Sequence, residues 1–240
     1  MGGFFGAVSA NDCVLDVFYG TDYHSHLGTR RGGMTSYSAE LGFQRNIHSI
    51  ENSPFRTKFE KDVEKMRGNI CIGCISDTDP QPIMVRSKLG LYAVCSIGII
   101  QNAKALSEEL LESGCANFET MSSGNINSGG LIGALIAQKP TFVEGIRYAQ
   151  SKIEGTMSLV IMTEDSIICA RDRAGKLPIL IGKRSDGYCF SFESFAYQKL
   201  GYETCHELKA GEITCLTKDG YEVLYKGTEE MKICTFLWTY

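Results

Sequence analysis

The stretch ARDRAGKLPILIGKRSDGYCFSFESFA, residues Ala170–Ala196, decides how this sequence folds. Two apolar runs, LPILIGK and YCFSFES, are separated by the turn signal SDG, the pattern of neighbouring antiparallel strands. Ahead of them Arg171, Asp172, Gly175 and Pro178 read as a turn with an internal ion pair, holding the fold rather than doing chemistry. Upstream, TMSLVIMT and SIICARD repeat the strand pattern. Downstream, GEITCLT does so again, with KDG as a further turn. The last third, from Gly155, is therefore a succession of strands.

The front and middle read differently. GGFFGAVS is a short buried strand with small residues at its start, followed by a helix in DCVLDVFYGTDYHSH with Asp12 as N-cap. Gly28 to Met34 reads as a Gly-rich turn, in which Arg30 and Arg31 beside Gly32 and Gly33 could cradle an anion on backbone N–H groups, although a fold-bracing loop accounts for it as well. SPFRTKFEKDVEKMRGN reads as a helix with Ser53 as N-cap, Pro54 at the first position and Gly68 at its end. NICIGCIS, QPIMVRS and LGLYAVCSIGII are strand-like, and Asn102 to Ser113 is a helix with Leu106, Leu110 and Leu111 on one face. A Gly, Ser and Asn loop from Asn117 to Gly130 leads into a helix pair, LIGALIA and TFVEGIRYAQSKI. Helices first and antiparallel strands after predict α+β architecture with sheets packed in layers.

Composition narrows the function. With 240 residues, 43% hydrophobic and 22% charged, the chain is an ordinary globular one with a single large core. A net charge of -4, with Lys and Arg dispersed, disfavours nucleic acid as a partner. The longest apolar runs fall short of a membrane span, MGGFFGAVSAN lacks the basic start of a signal peptide, and no Ser or Thr stands where a myristoylation signal needs one. No membrane partner and a cytoplasmic location are the expectation. Among ten cysteines only Cys71 and Cys74 form C-x-x-C, in a strand that turns them to opposite faces, which favours small apolar packing over metal or redox duty. His24 and His26 lie two apart with no third ligand cluster.

Several segments in order resemble the class II, N-terminal-nucleophile glutamine amidotransferase domain of amidophosphoribosyltransferases. Arg171-Asp172, Gly175, Pro178 and Glu193-Ser194 keep the spacing of that family's R-D-P-x-G-x-R-P-L…S-E-S, and Ala210-Gly211-Glu212 stands at its P-G-E. GGFFGAV resembles C-G-I-x-G-I, Tyr19-Gly20 falls in the following helix, and Arg31-Gly32 corresponds to the H-R-G turn. IGCISDTDPQP resembles I-G-H-V-R-Y-x-T…Q-P, SIGIIQN resembles H-N-G-N-L-x-N, and MKICTFLWTY resembles the connection into the phosphoribosyltransferase half. The resemblance implies a four-layer αββα sandwich with two stacked antiparallel sheets, an amidotransferase-like domain over 1–225, and a connection over 226–240 to a phosphoribosyltransferase domain in cis. The aromatic end TFLWTY predicts a polypeptide continuing past Tyr240. Homo-oligomerisation is expected as well.

Position by position, the resemblance leaves the chemistry vacant. The nucleophile cysteine corresponds to Gly2, which can form no acyl-enzyme. The oxyanion-holding Asn-Gly pair corresponds to Ile97-Gly98, so a backbone donor remains without the side-chain donor, a loss of roughly 2.7 to 4 kcal/mol of barrier lowering in other hydrolases. The arginine that forks the glutamine carboxylate falls at Ser76, the aspartate that takes the ammonium falls near Ser128, and Arg31 remains as a vestigial substrate contact. Cys234 falls at the first ligand of the iron–sulfur cluster found in some members; that cluster and Mg would belong with the absent transferase half.

The sequence thus predicts a glutaminase-like domain of purine nucleotide synthesis, inactive in hydrolysis and acting as scaffold or regulatory domain. The alternative is a small-ligand-binding module using a pocket lined by Gly2, Ile97 and Ser128. A third reading makes Cys13 or Cys95 the nucleophile of another amide hydrolase, Cys13 becoming N-terminal if twelve residues were removed.

Overall fold

The computed structural model describes residues 2–114, 118, 124, 126–232 and 235. In chain order the elements are β1 (Gly2–Ser9), α1 (Val14–Asp22), a short 3₁₀ turn (Ser25–Leu27), β2 (Arg31–Ser38), β3 (Gly42–Ser49), α2 (Phe55–Val63), β4 (Ile70–Ser76), β5 (Ile83–Ser87) and β6 (Gly90–Ile100). There follow α3 (Ala103–Glu112), α4 (Ser128–Ile136), α5 (Phe142–Lys152), β7 (Gly155–Met162), β8 (Ile167–Ala170), β9 (Leu180–Arg184), β10 (Gly187–Ser191), α6 (Ser194–Gln198), β11 (Glu203–Glu207), β12 (Ile213–Leu216) and β13 (Tyr221–Tyr225).

The strands form two antiparallel sheets, ordered β11-β9-β10-β1-β4-β2-β3 and β13-β12-β8-β7-β6-β5. Strand alternation sorts the core into three sets. Phe4, Val8, Cys74, Cys95, Val160 and Ile181 fill the space between the sheets. Phe5, Ala7, Val14, Phe18, Phe55, Phe59 and Tyr197 join the first sheet to α1, α2 and α6. Leu106, Leu110, Leu131, Ile146 and Leu159 join the second sheet to α3, α4 and α5. The result is the predicted layering of helices, sheet, sheet and helices. Among the described residues no helix is long and apolar enough to cross a membrane.

Several local expectations are corrected. The Gly28–Met34 turn is mostly strand: β2 starts at Arg31, and Gly32 and Gly33 pair with His48 and Ile47 on one side and Ile75 and Cys74 on the other. Their backbone groups belong to the ladders, so they form no anion cradle. Glycine is needed at 33 because a Cβ there would lie 1.7 Å from the Gln81 carbonyl oxygen. Helix α2 is capped at Pro54 without a side-chain hydrogen bond from Ser53 and ends at Val63, well before Gly68. Asp12 holds the Val14 N–H at 3.1 Å, but Cys13 is the N-cap residue of α1. Leu111 is 51% exposed, unlike Leu106 and Leu110.

The Arg171–Pro178 turn carries the chain from β8 in one sheet to β9 in the other. Its two charges do not pair with each other. Arg171, 5% exposed, donates to Glu207 at 3.0 Å, to the Leu208 carbonyl, and to the Gly175 carbonyl at 2.8 Å. The Asp172 carboxylate accepts from the Ala174 and Leu177 N–H groups, each at 3.0 Å. Gly175, at φ +67, supplies the left-handed residue of the turn. Arg171→Ala leaves two buried carbonyls without their donor and lowers unfolding free energy by about 3 kcal/mol, read from the urea midpoint. An unchanged midpoint would contradict this role.

Candidate functional site

The residues singled out in the sequence meet at one end of the sandwich. Gly2 pairs with Ser76 and Ser76 with Arg31, so three strands place them in one row. Directly paired residues share a face. That face looks toward the second sheet, because a Cβ on Gly2 would lie 3.0 Å from Ile97 Cδ1. Gly98 follows at φ +150, where a Cβ would sit 2.0 Å from the Thr156 carbonyl oxygen. Ser128, the first residue of α4, joins the row through Asp79: its N–H donates to Asp79 Oδ2 at 3.2 Å, and the Asp79 N–H donates to Ser76 Oγ at 3.2 Å. Cys234 lies outside the described residues.

Each position is occupied in a way that leaves little reactive. At Gly2 a Cβ would come within 2.3 Å of the Ile75 carbonyl oxygen, so this backbone has no room for any side chain. Ile97 closes over it with an alkyl group that is almost wholly buried. The Ser76 hydroxyl is committed to the following loop, accepting from the N–H groups of Thr78 and Asp79. Arg31 is half-buried and makes no side-chain hydrogen bond or ion pair among the described residues.

Three further residues shape this end and were not singled out in the sequence. The buried Asp79 carboxylate sits at the N-terminus of α4, where the helix dipole favours negative charge. Asn127 caps the same helix by accepting from the Gly129 N–H at 2.8 Å, and its amide donates to the Pro80 carbonyl at 3.0 Å. Gln81 pairs with the backbone of Ser96 in both directions, accepting at 2.6 Å and donating at 2.9 Å, which fixes the strand just ahead of Ile97. The run Asp-Pro-Gln-Pro carries a turn signal, and Asn127 before Ser-Gly-Gly is a capping signal; nothing local shows that they converge.

Neither Cys13 nor Cys95 has the surroundings of a reactive thiol. Burial pushes the thiols of Cys13 and Cys95 well above their ordinary range, whereas a catalytic cysteine must reach its thiolate. The two histidines do not converge. His24 is fully buried, with Nδ1 2.8 Å from the Gly20 carbonyl oxygen and Nε2 3.1 Å from Ser191 Oγ, while His26 faces Glu193 near the surface. Among the described residues no three His, Cys, Asp or Glu side chains group as metal ligands.

Residues 66–198, more than half of the chain, match the family model described as a glutamine amidotransferase domain. The chain belongs to the glutamine amidotransferase domain family. The domain is 25% identical over 234 residues to the amidophosphoribosyltransferase of Archaeoglobus fulgidus, an alignment covering 93% of this chain and 50% of the relative. To that of Staphylococcus epidermidis it is 32% identical over 208 residues, covering 83% and 38%. The domain thus spans about half or less of the length of the curated relatives it matches. Its fold matches the glutamine phosphoribosylpyrophosphate amidotransferase of B. subtilis complexed with ADP and GMP with a TM-score of 0.86 at 23% identity, over 99% of this chain and 52% of that one.

His24 gives the domain a pH signature. Burial lowers its pKa from 6.5 to about 4, so the unfolded chain binds a proton over a range where the folded domain does not. Stability is full above pH 6.5 and falls as pH drops toward 4, by about 3 kcal/mol for this group. His24→Asn removes that increment from the pH dependence of the urea midpoint. An unchanged profile would mean that His24 protonates without opposing the fold.

Proposed function

We propose that this amidotransferase-type domain does not hydrolyse glutamine, and that it serves as scaffold or regulatory domain for a phosphoribosyltransferase half joined through residues 226–240, in a purine-synthesising protein that uses free ammonia. The observation that carries the reading is the seat at Gly2, which lacks both a nucleophile and the space for one. Three other roles support it. Ile97 offers no donor to an oxyanion, Ser76 offers no cationic fork to a carboxylate, and Ser128 offers no carboxylate to an ammonium group. The spacing of Arg171, Asp172, Gly175 and Pro178 is meanwhile kept where it holds the two sheets together.

A second reading, that the altered pocket binds another small ligand, is favoured by Arg31 alone, a half-buried guanidinium with no partner among the described residues. A ligand with a carboxylate or phosphate would then raise the thermal midpoint at millimolar concentration. No shift across amino acids and nucleotides leaves the scaffold reading.

The purified protein is expected to release no ammonia from glutamine above a protein-free blank. Protein-dependent turnover would overturn the proposal. Gly2→Cys remains inactive, and because its Cβ must displace the Ile75 carbonyl it also lowers unfolding free energy by roughly 1–3 kcal/mol.

A further inference from the structure

Directly beneath the Gly2–Ile97 contact the two sheets bring two thiols face to face. Cys74 precedes Ser76 by two residues on β4, and Cys95 precedes Ile97 by two residues on β6, so each shares a face with the site residue after it. Ser76 is paired with Gly2, and Cys74 with Phe4 one pleat deeper. Since Ile97 lies over Gly2, the deeper row lays Cys95 over Cys74. Both are in the core between the sheets, 2% and 1% exposed, and the two thiols lie near enough to interact electrostatically. Cys71, three residues earlier on β4, faces the helices instead.

We propose that Cys74 and Cys95 form a convertible dithiol that, when oxidised, bolts the two sheets together under the Gly2 seat. The reaction needs a small uncharged two-electron oxidant able to enter the core, of the diazenedicarboxamide class. One thiol adds across its N=N bond, the second sulfur attacks the first, and the hydrazine leaves with both protons and both electrons as the S–S bond forms. Burial disfavours the thiolate of Cys95, so the pair converts slowly, unlike an exposed sensor cysteine. The link closes the segment between β4 and β6 and holds Ile97 over Gly2. This inference stands whether or not the domain hydrolyses glutamine.

The test treats the folded full chain with diazenedicarboxamide, alkylates it in denaturant and maps its tryptic peptides. The expected product joins 68–86 to 89–104 through Cys74 and Cys95. Its thermal midpoint rises by roughly 5–10 °C, an increase reversed by dithiothreitol and absent in Cys95→Ala. Complete alkylation of both cysteines after native oxidation would overturn the proposal. So would a link through Cys71, or a joined protein whose midpoint does not rise.

Discussion

The buried Arg171 guanidinium is the constraint on which the two-sheet arrangement depends. It binds the Leu208 and Gly175 carbonyls and Glu207, so one side chain ties the end of β11 in the first sheet to the turn leaving β8 in the second. The Arg171 N–H donates to the Glu212 carbonyl at 3.0 Å, which anchors the same turn to the chain entering β12. Asp172 extends the tie toward the site: its N–H donates at 3.1 Å to the hydroxyl of Ser158, and Ser158 is paired with Ile97. The turn that lets the chain change sheets is therefore one hydrogen bond from the strand pair that closes over Gly2. The proposed loss of glutamine hydrolysis is compatible with a retained fold, because the atoms that tie the sheets together are not those of the Gly2 seat.

The site is filled by the chain's own groups. Asp79 lies on the α4 N-terminus, Ser76 turns its hydroxyl to the loop, and Ile97 presses on Gly2. Each contact satisfies a polar group or fills a void, so the region contributes to packing. The half-buried Arg31 is the exception, a charge held in the row without a partner among the described residues.

The strands of the last third were legible because their alternation and turn signals are local, and β7, β8, β9, β10 and β12 fall where LVIM, IICA, LIGK, YCFS and ITCL predict them. Strand β2 was read as a turn because its glycines look like turn residues; in the structure they yield space to Phe55 and to the Gln81 carbonyl, which no local pattern reveals. The edge strands β3, β11 and β13 escaped because one side is open and their side chains need not alternate. The residues that motif order singled out, Gly2, Arg31, Ser76, Ile97 and Ser128, lie at one end of the sandwich. The absence of room at Gly2 was not legible, since it follows from the register of β1 against β4 and from where Ile97 comes to rest.

On the proposed function, glutamine meets neither a nucleophile nor room for one at the Gly2 seat. A diazoketone analogue of glutamine, which alkylates the catalytic thiol of an active amidotransferase, tests it most directly through the intact mass of the folded protein after prolonged incubation. An unchanged mass is expected once accessible thiols, the exposed Cys205 among them, have been blocked beforehand. A stoichiometric single adduct, prevented by excess glutamine, would contradict it.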